Sequence, residues 1–393
     1  MPSKNHDLTS NSPVPAAPQA VPTMRPNALV TCLASSMLCS SFAIARVLDP
    51  FIFGSFVGNS ATYSVASELG FFVQQGLNVT LSPIPNSTFG YATLLDGGYD
   101  LLVGTVDNVV NMRFNSEKPF TVVGQLDLGP DLVIAGAPGV NSILDLKGKA
   151  LMVDSPTSGY AAVVQKVLAF NGLQLGTDYT FQQVGGTATR FELLRNGTLA
   201  DGTPTFGTLL TYPFKTHPPH HLTPAVQAST ASPPIPILAR VSDFVAPFFS
   251  NALTIRSQDA DPSSSPTSPL VRAIAALLAA NRFLADPDNK DCAVRAIAKD
   301  NAISRELAEQ EYASATNPVS GETSQVDFDA SRLGLLNVID IRMLVDGFTG
   351  AGPSFDFVDA IQPGPGLLLD LRIRDAALKL VKEVKSGSCP LPK

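Results

Sequence analysis

The sequence predicts an α/β protein of two lobes, the second inserted into the first, with a helical C-terminal tail. From Phe51 onward, short apolar strands alternate with helices of about ten residues, the pattern of βαβ units and a mostly parallel sheet. A second unit of the same kind opens at SILDLKGKALMVDSPTSGY, and the chain then returns through a long crossover. At 393 residues the chain is also too long for one compact core.

The elements follow in order. FIFGSFVG reads as a strand and Tyr63–Gln75 as a helix that Gly76 ends. LNVTLSPIP is a strand, followed by a short helix over Phe89–Leu95. YDLLVGTV is the next strand, with a helix over Asp107–Asn115, and FTVVGQL and DLVIAGAP are two more strands. The second unit holds strand ALMV, a helix over 160–171, strand YTFQQVGG, a helix over Thr187–Asn196 and strand FGTLLTYPF. Residues 215–236 are rich in Pro, Thr and His, fit no element of ordinary length, and read as an exposed insertion. ILARVSDFVAPFFSNALTIRS looks like one crossover strand. The rest reads as helices over Leu270–Leu284, Lys290–Asp300, Ser304–Thr316, Ser331–Asp346 and Leu367–Ser386, punctuated by Asp286-Pro287 and Asn317-Pro318. The expected boundaries are 46–137 with 241–350 for the first lobe, 138–240 for the second, and 351–393 for the tail.

Residues 1–45 stand apart as a Pro-, Ser- and Ala-rich leader and a signal-like segment. From Met24 an apolar, Ser-diluted run ends in Ala43-Ile44-Ala45, the grammar of a secretory signal, and translation from Met24 instead of Met1 would suit it. The run is also about long enough for a membrane anchor, which its Ser and Thr content disfavours. Sequons at Asn78, Asn86 and Asn196 point to the same secretory route. Cleavage after Ala45 would leave Cys292 and Cys389, either one disulfide or two unrelated thiols. The net charge of −7, without a basic stripe, excludes a nucleic-acid partner. The expected product is a secreted monomer with no stable membrane partner.

In sheets of this kind ligands bind beyond the carboxyl ends of the strands. The loops placed there are GNSAT at 58–62, GTVDN at 104–108, DSPTSG at 154–159, VGGT at 184–187 and TYPF at 211–214. Small hydroxyls and free N–H groups at helix starts suit carboxylate, sulfonate or phosphate groups, with Tyr160 and Tyr212 as flat walls. Each loop alone reads more simply as a cap or turn; five at one edge favour a binding cleft. Catalysis has less support. Three of the four histidines, at 217, 220 and 221, lie in the insertion, a poor metal site, and no nucleophile motif occurs. Asp107 and Asp154 read equally as acid/base groups or caps. Arg113 and Arg190 read as helix-surface residues in preference to anion partners.

The stretch DLKGKALMVDSPTSGYAAVVQKVLAFNGLQLGTDYTFQQVGGTATRFELLRNGTL resembles the second lobe of the nitrate/sulfonate/taurine-type periplasmic substrate-binding proteins. ELGFFVQQGLNVTL, YDLLVGTVDNVV and NALTI match further parts, so the resemblance spans roughly residues 50–345. It implies the type II periplasmic-binding-protein fold, shared with the pyrimidine-precursor synthases of thiamine biosynthesis, in which a two-strand hinge joins lobes that clamp a ligand. The sequons and long N-terminus make the chain look like a secreted fungal member. Carried onto matching positions, the resemblance implies ligand contacts at Asn59, Ser60, Thr62, Asp107, Asn108, Ser155, Thr157, Ser158, Gly186, Thr187 and Tyr212. The synthases' Cys-rich iron motif and active-site histidine have no counterpart, so neither that activity nor a cofactor is expected. Bacterial members deliver ligand to a permease, a partner that secreted eukaryotic relatives generally lack. The expected function is binding of a small anionic or heteroaromatic solute, with no catalytic motif recognised. The alternative is a repurposed enzyme or accessory protein of a fungal secondary-metabolite pathway.

Overall fold

A computed structural model shows two five-stranded mixed sheets, each flanked by helices. It describes residues 47–381 and residue 389, apart from 56–59, 86, 130–131, 211–213, 217–219, 223–234, 264, 346 and 353. The segment 1–45, with its signal-like run, and Asn59, Asn86, Tyr212 and His217 lie outside the described residues.

The first sheet has the order β2-β1-β3-β12-β4, from Asp49–Ser55 (β1), Leu77–Pro83 (β2), Leu101–Thr105 (β3), Phe120–Gln125 (β4) and Asn251–Arg256 (β12). Strands β1, β2 and β3 are parallel, and β12 runs antiparallel to both β3 and β4. The second sheet has the order β11-β5-β8-β6-β7, from Val133–Gly136 (β5), Lys149–Val153 (β6), Tyr179–Gln183 (β7), Gly207–Leu210 (β8) and Ile237–Arg240 (β11). There β6 is parallel to β7 and β8, while β5 is antiparallel to β8 and β11. Read from the other edge, the second sheet is β7-β6-β8-β5-β11, which repeats the first in order and direction.

Three expectations need correcting. The stretch 237–257 is two strands in two sheets, β11 and β12, joined by an irregular segment that carries the chain between lobes. The boundary at 137 would leave β5 in the first lobe, yet its backbone bonds go to β8 and β11. An all-apolar strand fits either buried sheet, so the pattern could not choose. The helix expected over 63–75 is two helices, Ala61–Glu68 (α1) and Phe71–Gln74 (α2), separated at Gly70, whose φ of 75° no helix accommodates. Within the insertion, Phe214–Thr216 (β9) and His220–Leu222 (β10) pair as a short antiparallel hairpin.

The other helices are Ser87–Leu95 (α3), Val106–Ser116 (α4), Gly159–Phe170 (α5), Thr187–Asn196 (α6), Pro269–Ala285 (α7), Lys290–Asn301 (α8), Arg305–Ala315 (α9), Arg332–Met343 (α10), Phe357–Ala360 (α11) and Arg372–Leu378 (α12). Helix α7 is capped by Ser268 with Pro269 in its first turn, and its Ala- and Leu-rich face is buried against the first lobe. A disulfide joins Cys292 on α8 to Cys389. The tail is less helical than expected: Val122 on β4 donates to Leu368 O and accepts from Asp370 N, so residues 368–370 extend the edge of the first sheet.

The apolar core has two parts. One, beneath β1, α1, α7 and α8, belongs to the first lobe. The other runs from Leu102, Val106 and Val110 of the first lobe through Leu335, Val338 and Ile339 of α10 to Val133, Leu151 and Val163 of the second. Helix α10 therefore packs on both lobes. Among the described residues no helix is long and apolar enough to cross a membrane.

Candidate functional site

The carboxyl ends of β3 and β6 meet where α4 and α5 begin. Asp107, in the first turn of α4, is buried and paired with Arg342 of α10: Nε reaches Oδ1 at 2.8 Å and Nη2 reaches Oδ2. Arg342 Nη2 also lies 3.4 Å from Thr157 O, across in the second lobe. Gly159 opens α5 directly against this pair, and a Cβ there would overlap the Asp107 carboxylate. Ser158 caps α5, accepting from Ala161 N at 3.2 Å while its hydroxyl donates to Asp154 at 2.7 Å.

A polar cluster lies at the root of this junction. Thr105, the last residue of β3, pairs with Asn251 on β12, and Val106 N donates to Ser250 O at 2.8 Å. Asn251 Nδ2 donates to Asp127 Oδ2 at 2.7 Å, and Gly129 N to Oδ1 at 2.8 Å. Burial pushes the Asp127 carboxyl up to about 6, although these N–H groups favour its charged form. The Thr105 and Ser250 hydroxyls are buried without a well-aligned hydrogen-bond partner, Ser250 lying close to the Asp127 carboxylate. Tyr160 of α5 reaches over from the second lobe: burial raises its pKa, and the same two hydroxyls lie close to it without alignment for a good bond.

A third buried acid closes the start of α1. Ser60 caps the helix through Tyr63 N at 3.1 Å, and Glu322 accepts from Ala61 N at 2.9 Å and Thr62 N at 2.8 Å. Asn281 fixes this arrangement, accepting from Thr62 Oγ1 at 3.0 Å and donating to Glu322 O at 3.3 Å. Burial pushes Glu322 up to about 7; the Thr62 and Ala61 groups oppose the rise, and the charge of Asp127 adds to it. In the second lobe Arg190 donates to Thr208 Oγ1, Thr187 Oγ1, Gly185 O and Leu209 O, and burial lowers its pKa.

Two lobes meeting at the strand ends that carry these groups is the arrangement of periplasmic binding proteins. Residues 58–199 match a protein-family model described as NMT1/THI5 like. Solved structures extend the likeness over both lobes. The periplasmic nitrate-binding protein of Synechocystis PCC 6803 superposes with a TM-score of 0.58 at 12% identity, covering 88% of this chain and 91% of that one. A Candida albicans gene product described as having the generic periplasmic binding protein fold gives 0.55 at 14%, over 85% and 96%. The alkanesulfonate-binding protein of Xanthomonas axonopodis pv. citri, bound to MOPS, gives 0.54 at 15%, over 76% and 91%. No curated protein matches the sequence.

Within the NMT1/THI5 like stretch, most of the expected ligand-contacting side chains hold partners of their own. Thr62 is buried and bonded to Asn281, Asp107 to Arg342, Ser158 to Asp154, and Thr187 accepts from Arg190. Ser155 and Thr157 pair with each other at 3.1 Å near the surface, while Asn108 and Gly186 are half-buried. Arg190 is 3% exposed, against the helix-surface placement expected of it. Arg113 is half-buried and holds Phe120 O, Ser257 Oγ and Gly366 O. Sequence reasoning placed Thr105 in a cleft loop without singling it out, and missed Asp127, Ser250, Glu322 and Arg342 as groups of this junction. Among the described residues no group of three or more His, Cys, Asp or Glu side chains is arranged for a metal.

Proposed function

We propose that the chain binds a small solute, heteroaromatic or anionic, in the cleft between its two lobes. The observation that carries this reading is the direct meeting of the α4 and α5 starts, with Gly159 against Asp107 and the poorly satisfied Thr105 and Ser250 hydroxyls beside Tyr160. Buried hydroxyls without well-aligned partners carry a free-energy cost that a bound polar group removes. The likeness to nitrate- and alkanesulfonate-binding proteins supports the same reading. Its contacts come from Asn59, Ser60, Asn108, Ser155, Thr157, Gly186, Thr187 and Tyr212 as well as the groups at the junction. The alternative of a pathway enzyme gains nothing from the buried acids, since Asp107, Asp127 and Glu322 each already hold a structural partner.

The same reading makes the protein a secreted glycoprotein that works as a monomer. Exposed Asn78 and Asn196 support it, as does the Cys292–Cys389 disulfide, a bond that persists in oxidising compartments. Native mass spectrometry of the purified protein tests the central claim and should show a retained small molecule. A solute at about 100 times its Kd should add about 2.7 kcal/mol of stability, read as a rise in Tm. Properly folded protein with no retained molecule and no Tm response to a wide metabolite panel would remove the proposal.

A further inference from the structure

We propose that the second lobe carries a further ligand site, a cavity beside the far end of α5 that takes one small amphipathic carboxylate, its apolar body on the cavity wall and its charge at Lys166. The site lies away from the interlobe cleft and stands whether or not the cleft holds a solute.

Helix α5 begins at the cleft with Gly159 and ends at Phe170, and the turn after it leads to Tyr179 at the amino end of β7, the opposite end of that strand from the VGGT loop. There a cavity of about 550 Å³ lies between α5, this turn, and Leu344 and Val345 just past α10. The volume is that of a small-molecule site. Lys166 is eight residues along the helix from Ser158, about 12 Å at 1.5 Å per residue, so the two places are separate.

The wall is apolar although it faces water. Phe170 and Leu344 are 65% and 66% exposed, Leu175 is exposed too, and the buried Ala162 and Leu173 also line the cavity. Large apolar side chains scattered singly over a surface are ordinary, whereas three around one hollow mark a surface that something covers.

The polar groups set what that something is. Lys166 is the only charged side chain lining the cavity among the described residues, and none of their carboxylates pairs with it. Its Nζ lies 5.6 Å from the centroid of the Phe170 ring, which leaves its N–H groups to take an acceptor. Tyr179 adds a phenol with no hydrogen-bond partner among the described residues; burial pushes its pKa up to about 12, so it stays a neutral donor. Gln165 and Gln174 complete the polar edge. A cation finds no opposite charge here, and a purely apolar molecule leaves the ammonium unused. A carboxylate on an aryl or alkyl body answers both parts, and bound there it ties α5 to the chain two residues past Arg342.

The probes 4-phenylbutyrate, 4-phenylbutan-1-ol and 4-phenylbutylammonium share one apolar body and differ in head group. Calorimetry of the full chain should find the carboxylate bound about fivefold more tightly than the alcohol, with the ammonium weaker still. Lys166→Met keeps the apolar stem and removes the charge; it should bring the carboxylate down to the alcohol without changing circular dichroism. Ala169→Trp fills the cavity from an exposed position and should weaken all three probes. Hydrogen exchange should show 4-phenylbutyrate protecting residues 162–175 and 341–345. An ammonium bound as tightly as the carboxylate, a carboxylate indifferent to Lys166→Met, or no binding of any probe would overturn the proposal. A dimer of the free protein that Leu344→Glu dissolves makes a second copy the occupant and overturns it as well. Both cavity variants lie outside the cleft, so any solute that native mass spectrometry finds retained should stay in each of them, and the failure of one reading leaves the other standing.

Discussion

The two lobes share one strand plan and differ in how they are held. In the first, β2-β1-β3-β12-β4 is wrapped by α7, α8 and α9, the disulfide ties α8 to Cys389, and an acid from far along the chain closes the start of α1. In the second, β7-β6-β8-β5-β11 has no covalent tie among the described residues, and its buried ion is the cation Arg190. The first lobe is reinforced by late sequence and the second by its own loops. Equal topology therefore does not mean equal stability or equal response to pH, and that difference can be tested.

The largest effect should come from the residue that belongs to neither lobe alone. Arg342→Ala leaves Asp107 buried and unpaired, and should cost about 3–5 kcal/mol in urea unfolding. Combining Arg342→Met with Asp107→Leu should restore most of that loss, because a buried pair replaced whole is close to neutral. Next comes Cys292→Ser with Cys389→Ser, at about 2–4 kcal/mol, confined to the first lobe. Hydrogen exchange should then show α8 and α7 opening while β6 and α5 keep their protection; equal loss in both would break the comparison.

The pH response should separate the lobes further. Glu322 and Asp127 titrate near 7 and 6 in the folded protein, above the ordinary range of carboxyls in the unfolded chain. Between those limits the folded state binds the more protons, so stability falls as pH rises from about 5 to about 7. Melting curves should show that decline, and Glu322→Gln should flatten part of it. The smallest effect compares two caps at matching places. Ser60→Ala should cost about 1 kcal/mol, and Ser158→Ala somewhat more, because Ser158 also holds Asp154 at 2.7 Å.

The alternation of strands and helices was legible because apolar runs and Gly, Pro and Ser punctuation are local. Thr187–Asn196 is a helix with the bounds its sequence suggests, and Ser158 caps the helix that DSPTSGY introduces. What stayed hidden was long-range. Glu322 reaches Thr62 across 260 positions, and Arg342 reaches Asp107 across 235, and no spacing rule spans such distances. Arg190 looked like a surface residue because an isolated Arg on a short polar helix usually is one. Its burial depends on Thr208, contributed by a strand that closes over it. Of the buried acids at the junction, the sequence singled out Asp107, while Asp127 and Glu322, which lie in none of the named cleft loops, went unnamed.

Helix α10 carries one last consequence, a kinetic one. Its apolar face belongs to the core shared by both lobes, and its Arg342 reaches Asp107 on one side and Thr157 on the other. On the proposed reading, a solute would enter such a cleft only when that clamp lets go, and would leave by the same route. The barrier falls on association and dissociation alike, so residence can be long even where affinity is modest. Stopped-flow mixing should find association well below about 10⁵ M⁻¹s⁻¹, and slackening α10 should speed arrival and departure together.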